Sequence, residues 1–203
     1  MRALRSQMAG ARLWTAVAVL AAMLPWAAPA AAQENRFTII DSSPTSWVAR
    51  GYTDYTVTPA DGWTFTSSRN FDNGVQIYLQ GPPLPGTSVD YWRLNFAAPG
   101  DALLVPGSYP NIQRFPFQDI DRPGLEFGST GRLDNQAGGF FDVLEATYGP
   151  GGEVLTFAAD FTHYGEAIQS RYTIAEIRYN AVPEPAAVGL AVPALLLLRR
   201  KRG

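Results

Sequence analysis

The chain of 203 residues has no cysteine, one histidine (His163) and one lysine (Lys201). Without cysteine there is no disulfide, no thiolate metal site and no thiol nucleophile. A single imidazole excludes any site that needs two, and it leaves His163 as the one imidazole able to serve as a general base. The Gly-x-Ser-x-Gly turn that holds a serine nucleophile on a strained elbow is absent as well. His163 directly follows a strand-like run, so its bland reading is a satisfied structural histidine. Basic residues are scarce where a nucleic-acid binder needs them. Three of the sixteen Lys and Arg fall in the first twelve residues and four in residues 199–202. Residues 33–182 keep nine Arg and no Lys against seventeen acids, a formal charge of −8. Such a surface repels phosphate backbones and disfavours anionic membranes, and no basic stripe runs through the middle of the chain. The same segment holds all nine Tyr, all eleven Phe and three of the five Trp. That is enough for one sizeable core and too much for disorder.

Residues 1–12 carry Arg2, Arg5 and Arg12 and no acid, and an apolar run over residues 13–24 follows at once. A charged region followed by a short apolar region is the pattern of a secretory signal. As a helix the apolar run would reach only ~18 Å, short of the ~30 Å hydrocarbon core, which favours cleavage over a retained anchor. Pro25 and Pro29 break the helix, and Ala30, Ala31 and Ala32 offer small residues to a signal peptidase. The expected cut precedes Gln33, giving a signal peptide of residues 1–32, with an uncleaved N-terminal anchor as the alternative.

At the other end three parts stand in strict order: Val182-Pro183-Glu184-Pro185, an apolar stretch over residues 186–198, and the bases Arg199, Arg200, Lys201 and Arg202. The apolar stretch partitions into a bilayer, and the bases stay cytoplasmic by the positive-inside rule, which puts the preceding chain outside. The two prolines deny Glu184 a helix and keep the segment extended for a processing enzyme. An ordinary tail anchor is the alternative, against which stands the ~20 Å reach of 13 helical residues.

This tail resembles the PEP-CTERM sorting signal. The resemblance covers residues 182–203 and implies a Gram-negative, exopolysaccharide-making bacterium with an exosortase, a membrane transpeptidase-like enzyme. It further implies removal of the tail near Pro183-Glu184-Pro185 and release to the cell surface or medium. The implied partners are signal peptidase, exosortase, the inner membrane for a time, and exopolysaccharide; no nucleic acid and no cofactor are implied.

Residues 33–181 read as an all-β domain. Apolar and polar residues alternate over residues 52–58, 75–79, 91–96 and 171–179. Turn chemistry at residues 81–86, 99–101 and 106–107 leaves no room for a long helix. Residues 140–148 and 153–161 flank Gly149-Pro150-Gly151-Gly152 and predict a hairpin, with Leu155, Phe157, Ala159 and Phe161 on its core face. The expected fold is a single antiparallel β-sandwich, jelly-roll-like, with a closed barrel as the alternative. It is flanked by the signal peptide and a short transmembrane sorting helix. The blocks at residues 91–96, 98–100, 106–109, 114–117, 131–135, 161–164 and 177–180 resemble an uncharacterised family of secreted bacterial β-domains. In that pattern cysteines stand where this chain has Asp134 and Tyr164, and no activity comes with the resemblance.

Candidate chemistry is thin. Trp47, after Ser42-Ser43-Pro44-Thr45-Ser46, and Trp63, after Asp61-Gly62, sit beside turn residues and are candidate glycan contacts, since indole faces stack on sugar rings. Burial is the competing reading of both, and Trp92, inside an alternating strand, reads as core. Asp119 and Asp121, with Asp101 and Asp134 joining from other loops, offer hard oxygens for Ca2+, although their spacing matches no EF-hand. Glu126, Glu145 and Asp160 could supply a glycosidase pair, or be solvated or salt-bridged acids. The sequence therefore points to an exported noncatalytic surface or matrix protein. A carbohydrate-binding module, or a small carbohydrate-active enzyme, is the alternative.

Overall fold

A computed structural model describes residues 32–83 and 85–183 of the chain. The expected signal peptide up to Ala31 lies outside the described residues. So do Glu184, Pro185, the apolar stretch 186–198 and Arg199, Arg200, Lys201 and Arg202.

In chain order the strands are β1 (Glu34–Ser42), β2 (Tyr55–Val57), β3 (Thr64–Arg69), β4 (Val75–Gln80), β5 (Tyr91–Ala97), β6 (Gly107–Pro110), β7 (Gln113–Arg114), β8 (Gly124–Ser129), β9 (Arg132–Leu133), β10 (Ala137–Tyr148), β11 (Val154–Gly165) and β12 (Tyr172–Ala181). The only helical pieces among the described residues are short 3-10 turns at Pro59–Asp61 and Pro99–Asp101. No helix among them is long and apolar enough to cross a membrane.

The strands form two sheets, in the orders β2-β1-β12-β11-β10-β6 and β3-β4-β5-β8-β7, with β9 pairing β8. Strand alternation explains why they face each other. In β4, Val75, Ile77 and Leu79 are buried while Gln76 and Tyr78 turn outward, and in β5, Trp92, Leu94 and Phe96 point in beside Arg93, which points out. The first sheet answers with Phe37, Ile39, Phe141, Phe157 and Phe161. Aromatic rings meet across the interface. Phe96 touches Phe141, Phe157 and Phe161 at 5.2, 5.1 and 5.9 Å, and Trp92, stacked on Phe127 of its own sheet at 5.3 Å, meets Phe37 at 5.2 Å. Each such side chain adds roughly 1.5–3 kcal/mol by leaving water, so this cluster dominates the favourable side of folding.

The β-sandwich expectation holds at this level, with three corrections. The second sheet is mixed, because β7 runs parallel to β8. The connectivity is not that of a jelly-roll: β3-β4-β5 and β10-β11-β12 each run as consecutive hairpins inside one sheet. The two sheets stay separate, which removes the barrel. Within the hairpin, Phe157, Ala159 and Phe161 take the core face, but Leu155 is exposed. The ladder pairs Thr147 with Thr156 and Tyr148 with Val154, so Leu155 is an extra residue in a bulge that reverses the inward alternation, and Val154 is buried in its place.

Pairing also orients the sandwich. Glu34 faces Ala181 and Ser42 faces Thr173, so the chain enters β1 and leaves β12 at one pole. The turn after β1, the β11–β12 turn and the β9–β10 connection gather at the opposite pole. The nine residues of β1 put these poles ~30 Å apart.

Candidate functional site

The far pole is built on the turn that follows β1. Ser43 N–H donates to Tyr172 O at 2.9 Å, and the Ser46 and Thr173 hydroxyls are bonded at 3.0 Å, which ties the turn to the start of β12. Ala49 N–H donates to Ser46 Oγ at 3.2 Å, and the Val48 carbonyl accepts from Arg132 Nη1 at 3.0 Å and from Ser129 Oγ at 3.5 Å. Ser46 and Val48 are buried, and Trp47 between them is turned outward, 50 % exposed, with the Arg50 guanidinium 5.0 Å from its ring centroid. An indole standing on a loop fixed on both sides loses little freedom when a ligand stacks on it.

Beside Trp47 opens a hollow of about 620 Å3, lined also by Thr45, Arg50, Asp134, Glu166 and Arg171. Asp134 is 3 % exposed and its Oδ2 has no hydrogen-bond partner. Burial first, and the Glu166 carboxylate second, push its carboxyl up to about 6, against the pull of Arg171 and Arg114. Glu166 accepts from Asn135 N–H at 2.7 Å and sits at φ +53, a left-handed conformation that a non-glycine residue adopts only when its surroundings impose it. The hollow thus offers one aromatic face, two carboxylates as acceptors and two guanidinium groups as donors. That set suits a polyhydroxylated ligand.

Of the residues singled out from sequence, Trp47 and Asp134 line this hollow, and Trp47 is exposed there. Trp63 is corrected: it is 2 % exposed, its ring packed where a Cβ on Gly81 would lie 2.5 Å away, so it offers no platform. Trp92 is core, as its strand position implied. His163 continues the inward face of β11 past Phe161, is 2 % exposed, and meets Phe127 edge-on at 5.6 Å. Burial drops its pKa to about 4, which keeps the ring neutral, and its Nδ1 has no hydrogen-bond partner. Asp119 lines a hollow with Asp72 and Asp101, but its Oδ2 accepts from Gln113 Nε2 at 2.9 Å, Asp121 does not line that hollow, and Asp134 lies at the far pole. The Ca2+ set is therefore not brought together, and among the described residues no three His, Cys, Asp or Glu side chains gather to hold a metal. Glu126 pairs with Arg93, and Asp160 pairs with Arg178 at 2.8 Å. Glu145 Oε2 accepts from Val182 N–H at 3.1 Å, fixing the residue that follows β12 to β10 at the terminal pole.

Asp134 and Glu166 are the site's two carboxylates, and no sequence motif joins them. Asp134 was legible only as a loose Ca2+ candidate and as the place where the resembled pattern has a cysteine; Glu166 gave no signal, because its place comes from the turn between β11 and β12. Comparison with known proteins finds no matching family model, no matching curated protein and no matching solved structure.

Proposed function

We propose that this chain is an exported, noncatalytic surface or matrix protein, delivered through its sorting tail by an exosortase-type enzyme, whose folded domain contacts exopolysaccharide. The observation that carries the glycan contact is Trp47: a half-exposed indole held out by a fixed loop, beside a polar hollow, at the pole opposite the one from which the tail departs. Held at Val182, the domain would present this pole away from the membrane. The tripartite order of residues 182–203 supports the export route. The noncatalytic reading is supported by His163, whose imidazole is sealed in the core.

One observation favours hydrolysis as a second reading, namely an Asp134 carboxyl raised to about 6 beside the Glu166 carboxylate. Reducing-sugar release that disappears in Asp134→Asn would establish it.

The test uses protein recovered from the producing cells. Mass spectrometry should find a C-terminus lacking residues 199–203, and titration with the producer's own exopolysaccharide should show binding that Trp47→Ala weakens about tenfold or more at an unchanged Tm. Intact residues 199–203 on the surface protein would overturn the sorting, and binding lost only in variants that also unfold would overturn the glycan contact.

A further inference from the structure

We propose that the outer face of the second sheet is a track for a carboxylate-bearing, anionic polysaccharide, running from Trp47 along β5 toward Phe117. The inference rests on the proposed glycan contact and names its substrate class.

Two hollows continue from the far pole. One, of about 300 Å3, is lined by Trp47, Tyr91, Arg93 and Arg132. The next, of about 480 Å3, is lined by Arg93, Arg114, Asn95 and Gln76, with Phe71 and Phe117 beside them. They share Arg93 and Leu133, and the first shares Trp47 and Leu133 with the hollow beside Asp134. Phe71 and Phe117 are 76 % and 71 % exposed, large aromatic faces that nothing in the core requires to stand outside.

The charge along this path is opposite to that of the domain. Arg69, Arg93, Arg114 and Arg132 line the two hollows against a single carboxylate, Glu126, which is buried and already paired with Arg93. Asn95 Nδ2 donates to the other Glu126 oxygen at 3.1 Å, so that carboxylate orients the Arg93 guanidinium instead of facing outward. Arg114 lies 5.0 Å over the Phe117 ring and spends one terminal nitrogen on Asn135 O at 3.4 Å. The Arg93 side chain is 42 % exposed and spends only one terminal nitrogen on Glu126. Guanidinium groups with spare donors, fixed by packing, match the planar fork of a carboxylate. The charge of −8 on residues 33–182 does not cancel this attraction. At physiological ionic strength charges beyond ~8 Å are largely screened, so the nearby arginines set the local field. Aromatic faces for the ring and arginines for its carboxylate together describe a uronate-type polymer.

The test titrates the full chain with polygalacturonate, with its methyl ester, which keeps the sugars and removes the charge, and with single-stranded DNA. Polygalacturonate should bind about tenfold or more tighter than the ester, and the difference should shrink as salt rises. Arg114→Gln should abolish the preference at an unchanged Tm, and Arg114→Lys should restore part of it. Equal affinity for the two polymers, or a preference that survives Arg114→Gln, would overturn the anionic track while leaving the glycan contact in place. Tighter binding of DNA than of polygalacturonate would overturn it in favour of a phosphate polymer. Binding of neither polysaccharide would overturn it too, and the glycan contact itself would then stand or fall on the producer's exopolysaccharide.

Discussion

His163 and Asp134 titrate against each other across the acid range. His163 is neutral in the fold down to about pH 4, whereas unfolded it takes up a proton near its ordinary value of 6.5. Between those values the unfolded chain holds more protons, so His163 makes stability fall as pH falls, by at most about 3 kcal/mol. Asp134 does the reverse: protonated in the fold up to about 6 but only near 3.8 when unfolded, it favours the fold at low pH and loses that contribution as pH rises through 6. Two variants separate the effects. In denaturant melts, Asp134→Asn should gain on the wild type at pH 7 and lose that gain by pH 4, and His163→Gln should be weakest relative to the wild type at pH 7 and recover toward pH 4. Parallel profiles for all three proteins would contradict the burial of both groups. The tryptophans show how far a residue can be read from its neighbours. Trp47 and Trp63 both stand beside turn residues, and that criterion cannot separate them. What does is Gly81, which lies opposite Trp63 across the β3–β4 pair and leaves room for the indole, a tertiary fact invisible in either local sequence.

At the scale of elements, the long strands were legible because their pairing is local and their alternation survives. Residues 75–79 and 91–96 lie within β4 and β5, and the Gly-rich loop at residues 149–152 does join β10 to β11. The short strands were not. β6 includes Gly107 of a Pro-Gly turn signal, and it is a strand because Ser108, Tyr109 and Pro110 find partners on β10. Leu155 escaped for a related reason, since period-two counting has no way to see an extra residue in the ladder. The β10–β11 pair offers a sharp test of its own packing. Gly139 has φ +115, and a Cβ there would lie 1.9 Å from Thr162 O, so Gly139→Ala should cost about 2–4 kcal/mol in a chemical melt. Gly131, at φ +66 with open space around it, should tolerate alanine for about 1 kcal/mol. Equal costs at the two positions would mean that the close approach at Gly139 does not exist.

For the molecule as a whole, net charge does not describe the local charge that the fold assembles. Residues 33–182 carry −8 and no basic run, which argued against attraction for an acidic polymer. The fold nevertheless draws Arg93 from β5, Arg114 from β7 and Arg132 from β9 onto one face, and only the sheet order brings those strands together. The same order puts the start of β1 and the end of β12 at one pole and Trp47 at the other, so under the proposed sorting route Trp47 would stand at the outward-facing end. The central claim is that Trp47 meets the glycan, and a 1H–15N titration of the processed protein with oligosaccharides from the producer's exopolysaccharide tests it most directly. Residues 33–182 contain three tryptophans, so three indole N–H signals report on three environments. The Trp47 signal, assigned from a Trp47→Phe variant, should move while those of the buried Trp63 and Trp92 hold still. A Trp47 signal that stays fixed at saturating oligosaccharide would contradict the account.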